Sequence, residues 1–240
     1  MWGWIILKKG LYIIFFALII LVLFSAQKIT DNANKPQTVS YTVDTEKKNA
    51  YCIFIEIEDK TLYLLQDGKC IKQYPIASGK KGWPSPLGHW KIISKADWGE
   101  GFGGRWMGLN VPWGTYGIHG TTRESSIGRA ASHGCIRMYN KDIKELYDIV
   151  PHGTPVIIVN GIFGPFGTGF TEINPGDRGA HVLAIQKRLK QLGFFKGWES
   201  GIYEDDLKYA VHRFQKSCGL TVQNTITKKC WEAMGFREFE

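Results

Sequence analysis

The strongest constraint on the fold is a series of short apolar runs separated by polar turns. Ile53, Phe54, Ile55 and Ile57 precede Glu58-Asp59-Lys60, and Leu62, Tyr63, Leu64 and Leu65 precede Gln66-Asp67-Gly68-Lys69. Residues 71–76 come directly after. Runs this short, interrupted by Asp-Gly-type turns, predict strands joined by hairpins. Residues 90–93, 107–109, 116–119 and 155–159 continue the strand-like series, while residues 141–150 carry the spacing of one amphipathic helix. The expectation is a mainly β domain over residues 50–160, with one or two helices.

Beyond residue 159 the periodicity changes. A glycine-rich stretch opens a linker over residues 161–171. Val182, Ile185, Leu189 and Leu192 then recur at helical spacing, as do Leu207, Ala210, Val211 and Phe214, and Trp231 and Met234 mark a third short helix. Gly193 and Gly219 fit as helix stops. Residues 172–240 therefore read as a small all-α domain of three helices. At the other end, Lys8 and Lys9 precede an uncharged apolar run from Gly10 to Ala26, long enough for a short transmembrane helix. Residues 1–26 read as a membrane anchor or signal segment, and Phe24 makes Ser25-Ala26 a poor cleavage site. The two lysines place the start of the chain on the cytoplasmic side. The expected location is the cell membrane, single-pass, with the later domains outside, or secretion if the segment is cleaved. Residues 27–49 are polar and aperiodic, as in a flexible stalk.

The chemistry-bearing segment is Ser132-His133-Gly134-Cys135-Ile136-Arg137-Met138, with Ile118-His119-Gly120-Thr121 upstream. If residues 132–138 run extended, His133, Cys135 and Arg137 share one face and Gly134, Ile136 and Met138 the other. A thiol needs a neighbouring base or a positive field to attack as a nucleophile, and His119, His133 and Arg137 can supply both. Gly120 and Gly134 permit close backbone approach, and the Gly134 backbone is suited to facing an oxyanion. Zinc binding by His119, His133 and Cys135 lacks the usual ligand spacing, so no metal and no cofactor is expected. Residues 99–113, rich in glycine and aromatics, fit either a flap over such a site or a minor core.

The five cysteines are at 52, 70, 135, 218 and 230, an odd number that leaves at least one unpaired within the chain. Cys52 with Cys70 and Cys218 with Cys230 are candidate disulfides outside the cytoplasm, with five reduced thiols as the alternative. The net charge of +8 favours anionic wall polymers or lipid head groups, and no nucleic-acid motif is present.

These motifs resemble the signature of the L,D-transpeptidase catalytic domain. Ala77-Ser78-Gly79-Lys80 and the stretch Pro84-Ser85-Pro86-Leu87-Gly88-His89-Trp90 resemble further segments of that family, in the same order. The resemblance implies a β-sandwich in which Cys135 is the nucleophile and His119 its proton acceptor and donor. It maps His133 to site support and Arg137, where the family often carries Asn, to the substrate pocket with Ser132, Gly120 and Thr121. Gly176-Asp177-Arg178-Gly179, residues 186–193, Gly201-Ile202-Tyr203 and Phe214-Gln215 are similar to the three-helix peptidoglycan-binding domain. The implied activity is acyl transfer through a thioester from a tetrapeptide stem to an amine, forming 3-3 cross-links. An L,D-carboxypeptidase or other cysteine hydrolase of stem peptides, and a non-catalytic wall-binding scaffold, are the alternatives. The implied partners are peptidoglycan, the membrane through the N-terminal helix, and carbapenem-type inhibitors.

Overall fold

The structure is a computed structural model that describes residues 50–99, 102–161 and 170–236. The expected membrane segment and stalk lie outside the described residues, as does most of the expected linker. Among the described residues no helix is long and apolar enough to cross a membrane.

The β domain is built from β1 (Tyr51–Glu56), β2 (Thr61–Gln66), β3 (Lys69–Pro75), β4 (Ser78–Gly79), β5 (Gly88–Ala96), β6 (Trp106–Leu109), β7 (Tyr116–Gly120), β8 (Ala130–Ser132), β9 (Ile136–Met138) and β10 (Pro155–Val159). Helix α1 (Asn140–Ile149) lies between β9 and β10. The β2–β3 hairpin turns on Asp67 and Gly68, both at positive φ (49° and 77°). A two-residue turn with both φ values positive matches the natural twist of paired strands.

Eight strands form one sheet in the order β3-β2-β1-β10-β5-β6-β7-β9, and β4 pairs with β8 separately. Strand β5 joins the two halves of this sheet. β5 pairs with β10 through Gly88–Lys91 and with β6 through Ile92–Ala96, with a register irregularity between Ile92 and Ser94. Such an irregularity bends a strand and lets it serve two layers. The chain after β3 then returns to the opposite edge, where Ala77 and Arg137 exchange two backbone hydrogen bonds of 2.9 Å. The two halves share one core that includes Ile53, Ile55, Leu62, Leu64, Ile118, Ile136, Met138 and Ile158, all fully buried. Alternation is visible in β1 and β2, where Ile53 and Ile55, and Leu62 and Leu64, face inward.

The candidate disulfides do not form: all five cysteines are free. Cys52 and Cys70 are each paired across from Leu65, one on either side of β2. An intervening strand puts their Cα atoms about 9–10 Å apart, beyond disulfide reach. Cys218 is exposed at the end of a helix, whereas Cys230 is buried and accepts a hydrogen bond from Gln215 Nε2 at 3.4 Å.

The helical domain comprises α2 (Ala180–Gln191), α3 (Asp205–Ser217) and the short α4 (Lys228–Ala233). Val182, Ile185, Leu189, Leu207, Val211, Phe214 and Trp231 meet in its core, while Leu192 stays exposed at the end of α2. Two buried glutamines fasten loops to that core. Gln186 donates to Ile202 O (3.1 Å) and accepts from Gly201 N–H (2.7 Å), and Gln215 accepts from Gln223 N–H (2.9 Å). Trp231 is fully buried, stacks on Phe170 and donates to Thr171 O at 3.1 Å. Replacing Trp231 by Ala should therefore cost about 3–5 kcal/mol in urea denaturation of the helical domain's signal. A loss below about 1 kcal/mol would contradict this packing.

Candidate active site

The site begins with a strand register. β7 and β9 run parallel, with Ile118 opposite Ile136, His119 opposite Arg137 and Gly120 opposite Met138. Ile118, Ile136 and Met138 fill the core, so residues between them turn the other way. Cys135 sits one residue before β9. The extended run expected over residues 132–138 is only partly realised: residues 133–135 form a bend, and β9 starts at Ile136.

Ser132 makes that bend. Its hydroxyl, 1% exposed at the residue level, donates to Cys135 O at 2.6 Å and accepts from Gly134 N–H at 3.0 Å. The hydroxyl thus ties the loop together, and Ser132 also borders a cleft with Cys135. Gly134 N–H is held by the same oxygen, so the expected oxyanion donor is engaged within the loop. The glycine itself is required twice over. Its φ is +113°, and an added Cβ would lie 2.6 Å from the Tyr116 ring and 3.1 Å from Pro84 O.

His119 is 6% exposed and its Nδ1 lies 2.6 Å from Gly120 O. A carbonyl only accepts, so Nδ1 carries the proton and the neutral ring keeps its lone pair on Nε2. Phe102 meets the ring edge-on at 5.0 Å and Trp106 lies against it at 5.8 Å. Trp98 stacks on Trp106 at 4.5 Å. Burial among these rings pulls the imidazole below its usual pKa; the Gly120 hydrogen bond opposes this and the Arg137 charge adds to it. The Cys135 thiol is pushed up by burial, against opposing pulls from the Gly117 backbone and Arg137. Both shifts favour the uncharged forms, thiol and neutral imidazole.

A cleft of about 470 Å³ gathers His119, Thr121, Ser132, His133, Cys135 and Arg137. The bent loop therefore still brings His133, Cys135 and Arg137 to one cavity. His133 is exposed and meets the Trp83 ring edge-on at 5.2 Å. Thr121 is buried and accepts from Arg123 N–H at 3.1 Å, shaping the loop after β7. Gly120 packs where a Cβ would lie 2.6 Å from Asn140 Oδ1 and 2.9 Å from Gly103 Cα. The stretch over residues 99–113 divides: Trp106 and Trp113 are buried, while Phe102 borders the cleft. Thr122 and Arg123 also border it. Their position directly after the His119 segment was the available signal for them, since no periodicity marks a loop. Among the described residues no cluster of His, Cys, Asp and Glu could hold a metal.

The description "L,D-transpeptidase catalytic domain" matches residues 50–158, and "putative peptidoglycan binding domain" matches residues 178–234. The putative L,D-transpeptidase YqjB of Bacillus subtilis is 34% identical over 125 residues, covering 45% of this chain and 70% of that protein. The chain belongs to the L,D-transpeptidase family. The putative L,D-transpeptidase YkuD of the same organism is 47% identical over 109 residues, 45% of this chain and 65% of that protein. This L,D-transpeptidase family member thus spans about 65% of the length of YkuD. A crystal structure of an Enterococcus faecium L,D-transpeptidase is 27% identical, covering 45% of this chain and 49% of that one at a TM-score of 0.41.

The buried thiol has a kinetic consequence. In mass-spectrometric alkylation with iodoacetamide near neutral pH, Cys135 should react more slowly than the exposed Cys70 and Cys218, and accelerate as pH rises past the ordinary thiol range of about 8.5. Faster labelling of Cys135 at neutral pH would show a preformed thiolate instead.

Proposed function

We propose that this chain is an L,D-transpeptidase of peptidoglycan. The observation that carries the reading is that Cys135 and a Nδ1-tethered His119 line one cleft. Nε2 is then the free base. Cys135 Sγ attacks the carbonyl carbon at the third residue of a tetrapeptide stem, and His119 takes the thiol proton. The bond to the terminal D-Ala breaks, its nitrogen receives that proton, and a thioester remains on Cys135. An amine of a second stem attacks the thioester, its proton passes through His119 to the departing sulfur, and a 3-3 cross-link results. Arg137 contributes positive charge beside both reacting groups, and Trp106 and Phe102 shield the base from water. No cofactor or metal enters these steps.

The helical domain's resemblance and match to a peptidoglycan-binding domain support a role in holding the enzyme on its polymer. The apolar run over residues 10–26 supports anchoring at the membrane, with both folded domains outside.

Purified protein with disaccharide-tetrapeptide should yield cross-linked dimers and free D-Ala by mass spectrometry, and Cys135→Ala should abolish both products. Tripeptide without dimers would instead identify a hydrolase, and no turnover by the wild type would sink the catalytic reading. The proton-accepting imidazole must be neutral, and its pKa is lowered, so kcat/KM should lose activity only as pH falls below the usual imidazole value of about 6.5. An acid limb displaced above that value would count against His119 as the base. The same thiol should open a carbapenem ring, giving a whole-protein mass adduct that Cys135→Ala lacks.

A further inference from the structure

We propose that Arg123, acting with Arg137, reads a free carboxylate on the acyl-donor peptide, so that the enzyme selects donors by charge. The inference rests on the transpeptidase reading and adds a specificity determinant that the family motifs do not contain. Arg123 leaves the loop after β7, and Arg137 lies on the adjacent parallel strand β9. Both border the cleft that holds Cys135. No Asp or Glu among the described residues borders it. The ion pairs among the described residues join Lys72 to Glu145, Arg105 to Asp97, Lys190 to Glu199 and Lys208 to Asp205, and involve neither arginine. Two arginines thus line one cavity without an Asp or Glu from the described residues.

The root of Arg123 is rigid although its side chain is exposed. Its N–H donates to Thr121 Oγ1 at 3.1 Å, and its C=O accepts from Ser126 N–H at 2.9 Å and Ser126 Oγ at 2.7 Å. A fixed root limits what an arginine loses on binding, and its planar fork suits a carboxylate. A neutral carboxamide offers the fork one acceptor oxygen and no charge. The carboxylate assigned to this pair is the one on the residue that becomes the thioester, the donor residue held at Cys135 in the same cleft.

Two disaccharide-tetrapeptide donors that differ only in a free or amidated carboxylate on the third residue test the idea. Wild type should favour the free acid by about tenfold or more in kcat/KM, the scale of a charge-assisted hydrogen bond. The preference should shrink as salt is raised. In Arg123→Gln the ratio should fall towards one, and Arg123→Lys should retain part of it. Equal use of the two donors by wild type, or an unchanged ratio in Arg123→Gln, overturns the charge-reading role while leaving transpeptidation standing. Turnover of neither donor overturns the transpeptidase reading and this inference with it.

Discussion

The parallel pairing of β7 with β9 is the constraint on which the site depends. Parallel neighbours cannot be joined by a tight hairpin; the chain must cross over, and the crossover takes a dozen or more residues. The sixteen-residue separation of His119 and Cys135 is that crossover. It contains a short 3-10 turn at Glu124–Ser126 and the strand β8, which pairs with β4. The spacing between His119 and Cys135 is thus a topological length. Ile118 against Ile136 sets the register from inside the core, and a slip of one residue would exchange buried and cleft-facing side chains.

A second closure supports the first. The chain from Ile76 to Lys80 bonds to β9 through Ala77, to Gly128 and Arg129 through Ile76 and Ser78, and to β8 through Lys80. Gly79 donates to Ser85 Oγ at 2.9 Å, and a Cβ there would lie 2.2 Å from Trp83 O. Pro86 O accepts from Trp90 Nε1 at 2.8 Å. The Ala77–Lys80 and Pro84–Trp90 segments are therefore architectural. They hold Pro84 O against Gly134 and so fix the floor of the Ser132–Cys135 bend.

Period and turn chemistry are the features that residue order makes legible. β1 and β2 alternate and turn at polar dipeptides, and the helices of the second domain repeat their apolar positions. The pairing of Cys52 with Cys70 fails for a reason that consecutive hairpins already imply: β2 lies between the strands that carry them. The 132–138 segment failed as a uniform strand for a local reason: Ser132 Oγ competes for the backbone of residues 134 and 135 and folds the chain into a bend. The aromatic enclosure of His119 was visible only as composition. Its geometry depends on Trp106 reaching across Gly117, where a Cβ would lie 2.6 Å from the indole ring.

Packing also redraws the boundary between the two domains. Leu183 of α2, 9% exposed, belongs to the core of the β domain, with Ala180 and Ile202 against it. Gly201 lies on the face of Trp113, where a Cβ would approach the ring to 2.3 Å. Trp113 in turn meets Trp90 edge-on at 5.2 Å. Gly201 is also the residue whose N–H is held by Gln186, so one loop both closes the helical domain and seats the indole of the other. Helical spacing assigns α2 wholly to the second domain because period reports which face is apolar, not what that face meets. Side chains on adjoining faces of one helix thus serve two cores, with Trp113 packed between them.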